Sequence, residues 1–485
     1  MVVSDNLKKE LPIWILTAAF LAIKVPLLFA PAYLMEWDEA VYMGIGKYLF
    51  SFGQAGLFED FRPLGLPFFL GFFWKSGLSP LIFGRLLVTA FSAGLILVTY
   101  SVARSIYSPF KGLLAAAILI TSPLFLFYSD RLYTEIPSTF FVMLALYAFV
   151  KNKAGWAGAL AGLGFLTKFP QGLILVVFLL VLFLERRRDG RDFFRQALVL
   201  LGSFAVVVMP YFIFNFLAYS RPQTGFFQAL FLPLVHARQF ESSVVTGDFL
   251  GSFEFYILGP VKDHGILIFA FARLISLFSR GRLRTFEEKT GFLYAVLFFM
   301  YFAFIPHKEM RYWQVIFPIF AVFASDGLWG FFESLKVKKL IRHPGALALA
   351  VFCLLLFLRF VHFRADLTSG QGPLFDRNEI LAARYQYLDR LPVSGAILTT
   401  HPWPCAYTDK LFVPFFMESG QAALSAYQRL NKEHAVGGIL IPLQGFPCEG
   451  GDELCQKSNL RLLEQIKKNR KAAEGNNEAF YLLAP

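Results

Sequence analysis

Long apolar runs separated by short basic clusters constrain this chain more than any other feature. An α-helix needs roughly 17 to 25 mostly apolar residues to cross a hydrocarbon core. Candidate spans fall near Leu11–Pro31, Leu81–Ala103, Gly112–Tyr128, Ile136–Val150, Trp156–Pro170, Leu173–Leu184, Ala197–Leu217, Phe255–Phe278, Gly291–Pro306, Trp313–Phe332 and Ala346–His362. The pattern predicts an α-helical polytopic membrane protein of about 11 transmembrane helices. Composition agrees, being 56% hydrophobic and 16% charged with a mean hydropathy of +0.54. A net charge of +12 raises the question of nucleic acid. The basic residues, however, sit in clusters between apolar runs, which is the positive-inside pattern of a bilayer protein. No nucleic-acid partner is expected.

The first run follows Lys8 and Lys9 and ends in Ala30-Pro31-Ala32, which superficially resembles a signal-peptidase site. It is longer than an h-region of roughly 7 to 15 residues, so an uncleaved first span is expected. Lys24 lies inside it and is expected to snorkel to the outer interface. The stretch Ala154–Glu185 reads either as one kinked span or as two short ones folded at Phe169-Pro170-Gln171-Gly172. Loop charge favours two. Lys8/Lys9, Arg104/Lys111, Lys151/Lys153, Arg186–Arg188 with Arg191, Arg280/Arg282/Arg284 and Lys336/Lys338/Lys339/Arg342 then share one side, the cytoplasmic one. The outward face then receives the segment Ala32–Pro80, the link Ser129–Glu135, the fold at Pro170, the loop Tyr219–Glu254, the run His307–Tyr312 and the C-terminus. Tyr256 reads as an aromatic-belt anchor.

After about Arg364 the composition changes, giving an expected transmembrane domain over 1–364 and a small C-terminal α/β extracytoplasmic domain over 365–485. Gly395–Thr400, Gly437–Leu443 and the terminal Ala-Phe-Tyr-Leu-Leu-Ala-Pro read as buried strands, and Ser419–His434 and Glu453–Asn469 show helical spacing. No nucleotide-binding glycine fingerprint is present, so this domain is expected to bind acceptor or to cover the site. Cys448 and Cys455 bracket a short turn, and in an oxidising exterior they are expected to pair; no further ligand stands at zinc spacing.

Two polar stretches carry chemistry. His307-Lys308-Glu309-Met310-Arg311-Tyr312 places three cations, one anion and a phenol at a span boundary. Placing ionisable groups there is costly unless they meet a partner, a cavity or a ligand. On a helix His307 and Arg311 would share one face and Lys308 and Tyr312 another, a donor-rich pocket suited to phosphate. The second stretch is Glu36-Trp37-Asp38-Glu39-Ala40-Val41-Tyr42, where carboxylates beside rings at a membrane interface read either as a general base or as solvated loop residues.

The run Trp37–Tyr42, followed by Arg62-Pro63-Leu64-Gly65-Leu66-Pro67-Phe68-Phe69, resembles the first outer loop of type C glycosyltransferases (the GT-C superfamily). Ser129-Asp130-Arg131-Leu132-Tyr133-Thr134-Glu135 and Gly164-Phe165-Leu166-Thr167-Lys168-Phe169-Pro170-Gln171-Gly172 continue the likeness, and His307–Tyr312 is similar to the signature of the mannosyltransferase branch. The match runs from about Met35 to Ala324, within the protein mannosyltransferase and aminoarabinose transferase-like families. The resemblance implies transfer of a sugar from a polyprenyl-phosphate donor to a glycan, lipid or protein acceptor on the outer membrane face, by one inverting displacement. Asp38 would be the base, with Glu39 orienting it or the acceptor. Lys168, His307, Lys308, Arg311 and Tyr312 would bind the donor phosphate. Glu135 would position acceptor, share a metal with Asp38, or pair with Arg131 or Arg85. Arg62 and Arg85 would neutralise the acidic cluster. No cofactor is specifically implied, and a divalent metal on Asp38, Glu39 and Glu135 stays open. The alternative is a transporter or flippase of a phosphorylated lipid or sugar, which commonly shows paired halves; residues 1–180 and 181–360 show no such repeat. The luminal sugar-binding repeats of the protein O-mannosyltransferase branch are absent and the aminoarabinose-transferase branch is longer, so the acceptor stays open.

Overall fold

The computed structural model describes residues 2–29, 35–59, 62–185, 190–219, 249–279, 285–304, 308–337, 375–417, 419–443, 445–448, 452–473 and 478–483. The expected span Ala346–His362, His307 and Cys353 lie outside them. The chain forms two compact units, one of Met1–Ala30, Phe61–Gly65 and Arg85–Ser369, the other of Pro31–Asp60, Leu66–Gly84 and Gly370–Pro485.

Among the described residues up to 337 the α-helices are α1 (Val2–Leu28), α2 (Trp37–Phe50), α3 (Gly65–Lys75), α4 (Pro80–Ile106), α5 (Pro109–Ile120), α6 (Pro123–Tyr128), α7 (Glu135–Val150), α8 (Ala154–Thr167), α9 (Leu173–Glu185), α10 (Gly190–Tyr219), α11 (Phe249–Asp263), α12 (Ile268–Ser279), α13 (Phe286–Phe304) and α14 (Trp313–Val337). Among the described residues, Glu10–Leu28, Pro80–Ile106, Asp192–Leu217 and Met310–Leu335 are long and apolar enough to cross a membrane, and five shorter apolar helices accompany them. On α10, Val206 and Leu217 are each 75% exposed. Such side chains suit lipid rather than water.

Within the first unit the stretch 154–185 makes two passes. Gly164 packs on Val142, so α8 runs antiparallel to α7, whereas Phe178 of α9 stacks on Phe149 at 4.1 Å after a 3-10 turn over Phe169–Gly172. The chain reverses at Pro170. α10 then lies against α8 so closely that a Cβ on Gly158 would meet the Leu200 carbonyl at 2.1 Å. Only small residues permit that approach of two backbones.

Two expected spans are interrupted. Gly112–Tyr128 breaks at Thr121-Ser122, where Ser122 accepts from the Phe125 N–H and Pro123 starts α6. Phe255–Phe278 breaks at His264, after which a 3-10 turn over Gly265–Leu267 leads into α12. The two breaks bond to each other: Thr121 Oγ1 lies 2.8 Å from His264 Nε2, and Ser122 Oγ donates to Asp263 at 3.1 Å. Polar groups released by broken helices are thereby satisfied inside the bundle. At the end of the bundle away from Glu135, Asp326 pairs with both Lys111 and Arg273, Arg273 meets Glu288 at 3.0 Å, and Lys289 meets Glu185 at 2.6 Å.

The second unit adds α15 (Phe375–Arg390), α16 (Trp403–Tyr407), α17 (Ala423–Glu433) and α18 (Glu453–Asn469) to a mixed sheet of β1 (Gly56–Leu57), β2 (Ala396–Thr399), β3 (Leu411–Pro414), β4 (Val436–Pro442), β5 (Arg470–Ala473) and β6 (Glu478–Leu483). The strand order is β1-β3-β2-β4-β6-β5. β1, β3, β2 and β4 pair in parallel, and β6 lies antiparallel to both β4 and β5. Leu398, Val413, Phe415, Ile439, Ile441, Leu462 and Ile466 form its core. The strands expected at 395–400, 437–443 and 479–485 and the helix at 453–469 are present. β1, from the segment after α2, joins the same sheet. Cys448 and Cys455 form a disulfide.

Candidate active site

In the first unit the site is built on the head of α7 and two turns that meet it. Glu135 opens α7 and is 1% exposed. Lys168, in extended conformation where α8 ends, places Nζ 2.9 Å from Glu135 Oε1. The same turn docks a second time, because Gln171 Nε2 lies 3.0 Å from Ser138 Oγ and 3.3 Å from Thr139 Oγ1.

The second turn is the Lys308–Tyr312 segment. The helical reading of this run does not hold, since Glu309 is extended and only Met310–Tyr312 form a 3-10 turn. Face sharing at a spacing of four therefore does not arise. Instead the Arg311 guanidinium lies 3.8 Å from Glu135 and donates to Glu309 at 2.8 Å, with its carbon 5.2 Å from the Tyr133 ring centroid. Lys168 Nζ lies 5.0 Å from the Tyr312 ring, and that ring stacks on Phe302. Lys308 is buried, donates to the Ala303 carbonyl at 2.9 Å, and is pushed down to about 8 by that burial. Three cations thus meet two carboxylates, leaving excess positive charge at a site lined by rings. Tyr256 is a correction: it is 1% exposed, beneath Lys308 and bonded to the Glu309 carbonyl at 3.4 Å, and so is no lipid-facing anchor.

Lys24 is a second correction. It does not snorkel but is buried against Asp130 at 2.6 Å, bonding the Leu126 carbonyl as well. Arg85 holds the other Asp130 oxygen at 2.6 Å and donates to the Leu28 carbonyl at 2.7 Å. Burial alone would raise the Asp130 carboxyl, but Lys24 and Arg85 hold it below its ordinary range. Arg85 thus neutralises Asp130, while the carboxylate of Glu135 is met by Lys168 and Arg311. Arg62 is half-buried ahead of α3.

In the second unit Asp38 and Glu39 occupy the first turn of α2, where the peptide dipoles favour negative charge. Glu39 is fully buried and closes a capping box, accepting the Glu36 N–H at 2.8 Å. Its carboxylate therefore fixes the start of the helix that carries Asp38. Around this turn stand rings that the sequence reading did not single out. Trp403 lies 5.5 Å from Trp37 and donates Nε1 to the Met35 carbonyl at 3.1 Å; Phe416 lies 4.9 Å from Trp37, and His401 5.3 Å from Trp403. Tyr407 is pushed up to about 12, by burial and then by the Glu39 charge. The only signal was the His-Pro-Trp-Pro run at 401–404, in a segment read as a cover. Gly44 lets α2 sit there, since a Cβ would meet Leu57 at 2.7 Å and Cys405 at 2.9 Å. Among the described residues no three His, Cys, Asp or Glu side chains gather as metal ligands.

The architecture has close counterparts of distant sequence. ArnT from Cupriavidus metallidurans in its apo state superposes with a TM-score of 0.61 at 16% identity, over 97% of this chain and 99% of that one. Its form bound to undecaprenyl phosphate gives 0.62 at 15% identity, over 97% and 99%. The Archaeoglobus fulgidus oligosaccharyltransferase AglB, in complex with an inhibitory peptide and a dolichol-phosphate, gives 0.61 at 13% identity, over 99% and 74%. Residues 62–214 match the sequence model of the dolichyl-phosphate-mannose-protein mannosyltransferases. The chain shares its fold with these two membrane enzymes. No curated protein sequence matches it significantly. The part of the chain that matches the family model runs from Arg62 into α10 and contains both Glu135 and Lys168.

Proposed function

We propose that the enzyme moves a sugar from a polyprenyl-phosphate donor to an acceptor on the extracytoplasmic face, in a single displacement that inverts the anomeric carbon. The observation that carries this reading is the Lys168–Glu135–Arg311 arrangement, which holds two cations by one buried carboxylate beside aromatic rings. A cradle held in advance needs no reorganisation when negative charge develops on a leaving phosphate. Each bond in the reaction then has a partner. The acceptor oxygen bonds to C1 from the face opposite the phosphate, and its proton passes to the Asp38 carboxylate. The C1–O bond breaks with its electron pair remaining on the polyprenyl phosphate, whose charge Lys168, Arg311 and Lys308 balance. Glu39 positions Asp38 through the capping box, and the rings of Tyr312 and Tyr133 keep the cations in place.

The test is transfer of radiolabelled mannose from undecaprenyl-phosphate mannose by purified enzyme. Asp38→Asn keeps the helix start, so it is expected to bind donor as before and lose about 10² to 10⁴-fold in rate, the usual share of a general base. Lys168→Ala and Arg311→Ala are expected to weaken donor binding as well as rate, since they meet the phosphate before and during reaction. Unchanged turnover in Asp38→Asn removes that residue as base, and unchanged donor affinity in both cation variants refutes the cradle.

A further inference from the structure

Two buried acceptor atoms at the head of α7 have no hydrogen-bond partner, Glu135 Oε2 and Gln171 Oε1. Glu135 is 1% exposed and Gln171 fully buried, and a native interior rarely leaves such groups unmatched. The orientation of the Gln171 amide follows from its neighbours. Ser138 and Thr139 each donate their hydroxyl hydrogen to the Glu135 carbonyl, at 3.0 and 2.7 Å. Toward Gln171 they can therefore only accept, which turns the amide nitrogen to them and the amide oxygen away. Glu135 is similarly constrained, with Oε1 taken by Lys168 at 2.9 Å and Oε2 left over. The unmatched atoms belong to one carboxylate and one amide that the 168–171 turn brings to the same stretch of α7.

Both atoms require a hydrogen-bond donor. A phosphodiester offers none, so the lipid phosphate does not satisfy them. A glycosyl ring does, through its hydroxyls. We propose that Glu135 Oε2 and Gln171 Oε1 form the subsite for the donor's sugar, with Gln171 a specificity-determining residue that reads a ring hydroxyl. This inference rests on the glycosyltransferase reading above and adds which part of the donor enters here.

The experiment compares the affinity of the full-length enzyme for undecaprenyl-phosphate mannose and undecaprenyl-phosphate glucose with that for undecaprenyl methyl phosphate, a diester of equal charge without a sugar. Wild type is expected to bind at least one glycosylated lipid about tenfold or more tightly than the methyl diester, since a site built around hydroxyls discriminates strongly against their loss. Gln171→Met, close in shape but without the acceptor, is expected to erase that gap; the readout is the ratio of the two affinities, because losing the amide's bonds to Ser138 and Thr139 acts on both lipids alike. A gap that survives in Gln171→Met overturns the inference and leaves the two oxygens to water. Equal affinity of wild type for all three lipids also overturns it, with no variant needed. Failure of wild type to bind any of the three lipids sinks the underlying glycosyltransferase reading instead.

Discussion

Raising the pH should loosen the grip on the donor phosphate through Lys308. Its ammonium is enclosed, donating to the Ala303 carbonyl at 2.9 Å with the Tyr256 ring 5.8 Å away, and burial pushes it down to about 8. A phosphodiester donor carries one fixed negative charge near neutrality, so it contributes no titration of its own. Below pH 8 the lysine is charged and binding is at full strength. Above that value the free enzyme loses the proton that the complex retains, and the dissociation constant rises with a slope of one decade per pH unit. From pH 6.5 to 9.5 the expected weakening is therefore about 30-fold, within the roughly 1.5 to 3 kcal/mol of a charge-assisted hydrogen bond. The assay is equilibrium binding of undecaprenyl methyl phosphate to the enzyme in detergent from pH 6.5 to 9.5. Lys308→Arg serves as the comparison because a guanidinium stays charged throughout, and its profile should be flat. A pH-independent wild type, or an equal slope in Lys308→Arg, refutes Lys308 as a phosphate ligand.

The buried ion triad gives two further expectations. Asp130→Ala strands Lys24 and Arg85, each 2.6 Å from the lost carboxylate; the backbone carbonyls they also bond soften the loss, so about 3 kcal/mol is expected, the lower end for a broken buried pair. Denaturant unfolding in micelles measures this, and a loss below about 1 kcal/mol contradicts it. Because Asp130 is held below its ordinary 3.8, its stabilisation is fully present above that pH and is lost only as the pH falls through its lowered folded value. Wild-type and Asp130→Asn stability should therefore run parallel from pH 5 to 8 and converge only in stronger acid, and convergence above pH 5 counts against the triad.

Much of the architecture was legible because hydrophobic length and loop charge are one-dimensional signals. The reversal at Pro170 followed from counting lysines and arginines on either side of it, and the disulfide followed from a short turn between two cysteines. The helix breaks at Thr121 and His264 were not legible, because the composition on either side stays apolar and the polar partners lie far apart in sequence. Lys24 was misread for the same reason, its anion standing 106 residues away. Local spacing also misled at Lys308–Tyr312, where an extended Glu309 and a 3-10 turn over Met310–Tyr312 stand in place of an α-helical turn. In the site, residue type identified Glu135, Lys168 and Arg311, but only the geometry showed that one carboxylate holds both cations. β1 escaped notice as a strand of two residues whose partner is β3, more than 350 positions later. Trp403 escaped because an isolated ring carries no pattern until a second ring is beside it.

The account's central claim is that the acidic turn of α2 and the basic turn before α14 serve one reaction on one side of the membrane. Impermeant maleimide labelling tests it most directly, with Cys353 replaced by Ser, the free Cys405 by Ala, and single reactive cysteines placed at Gln54, Glu309 and Lys153. Gln54→Cys and Glu309→Cys should label in intact cells, and Lys153→Cys only after permeabilisation. Labelling of positions 54 and 309 from opposite sides would contradict the account.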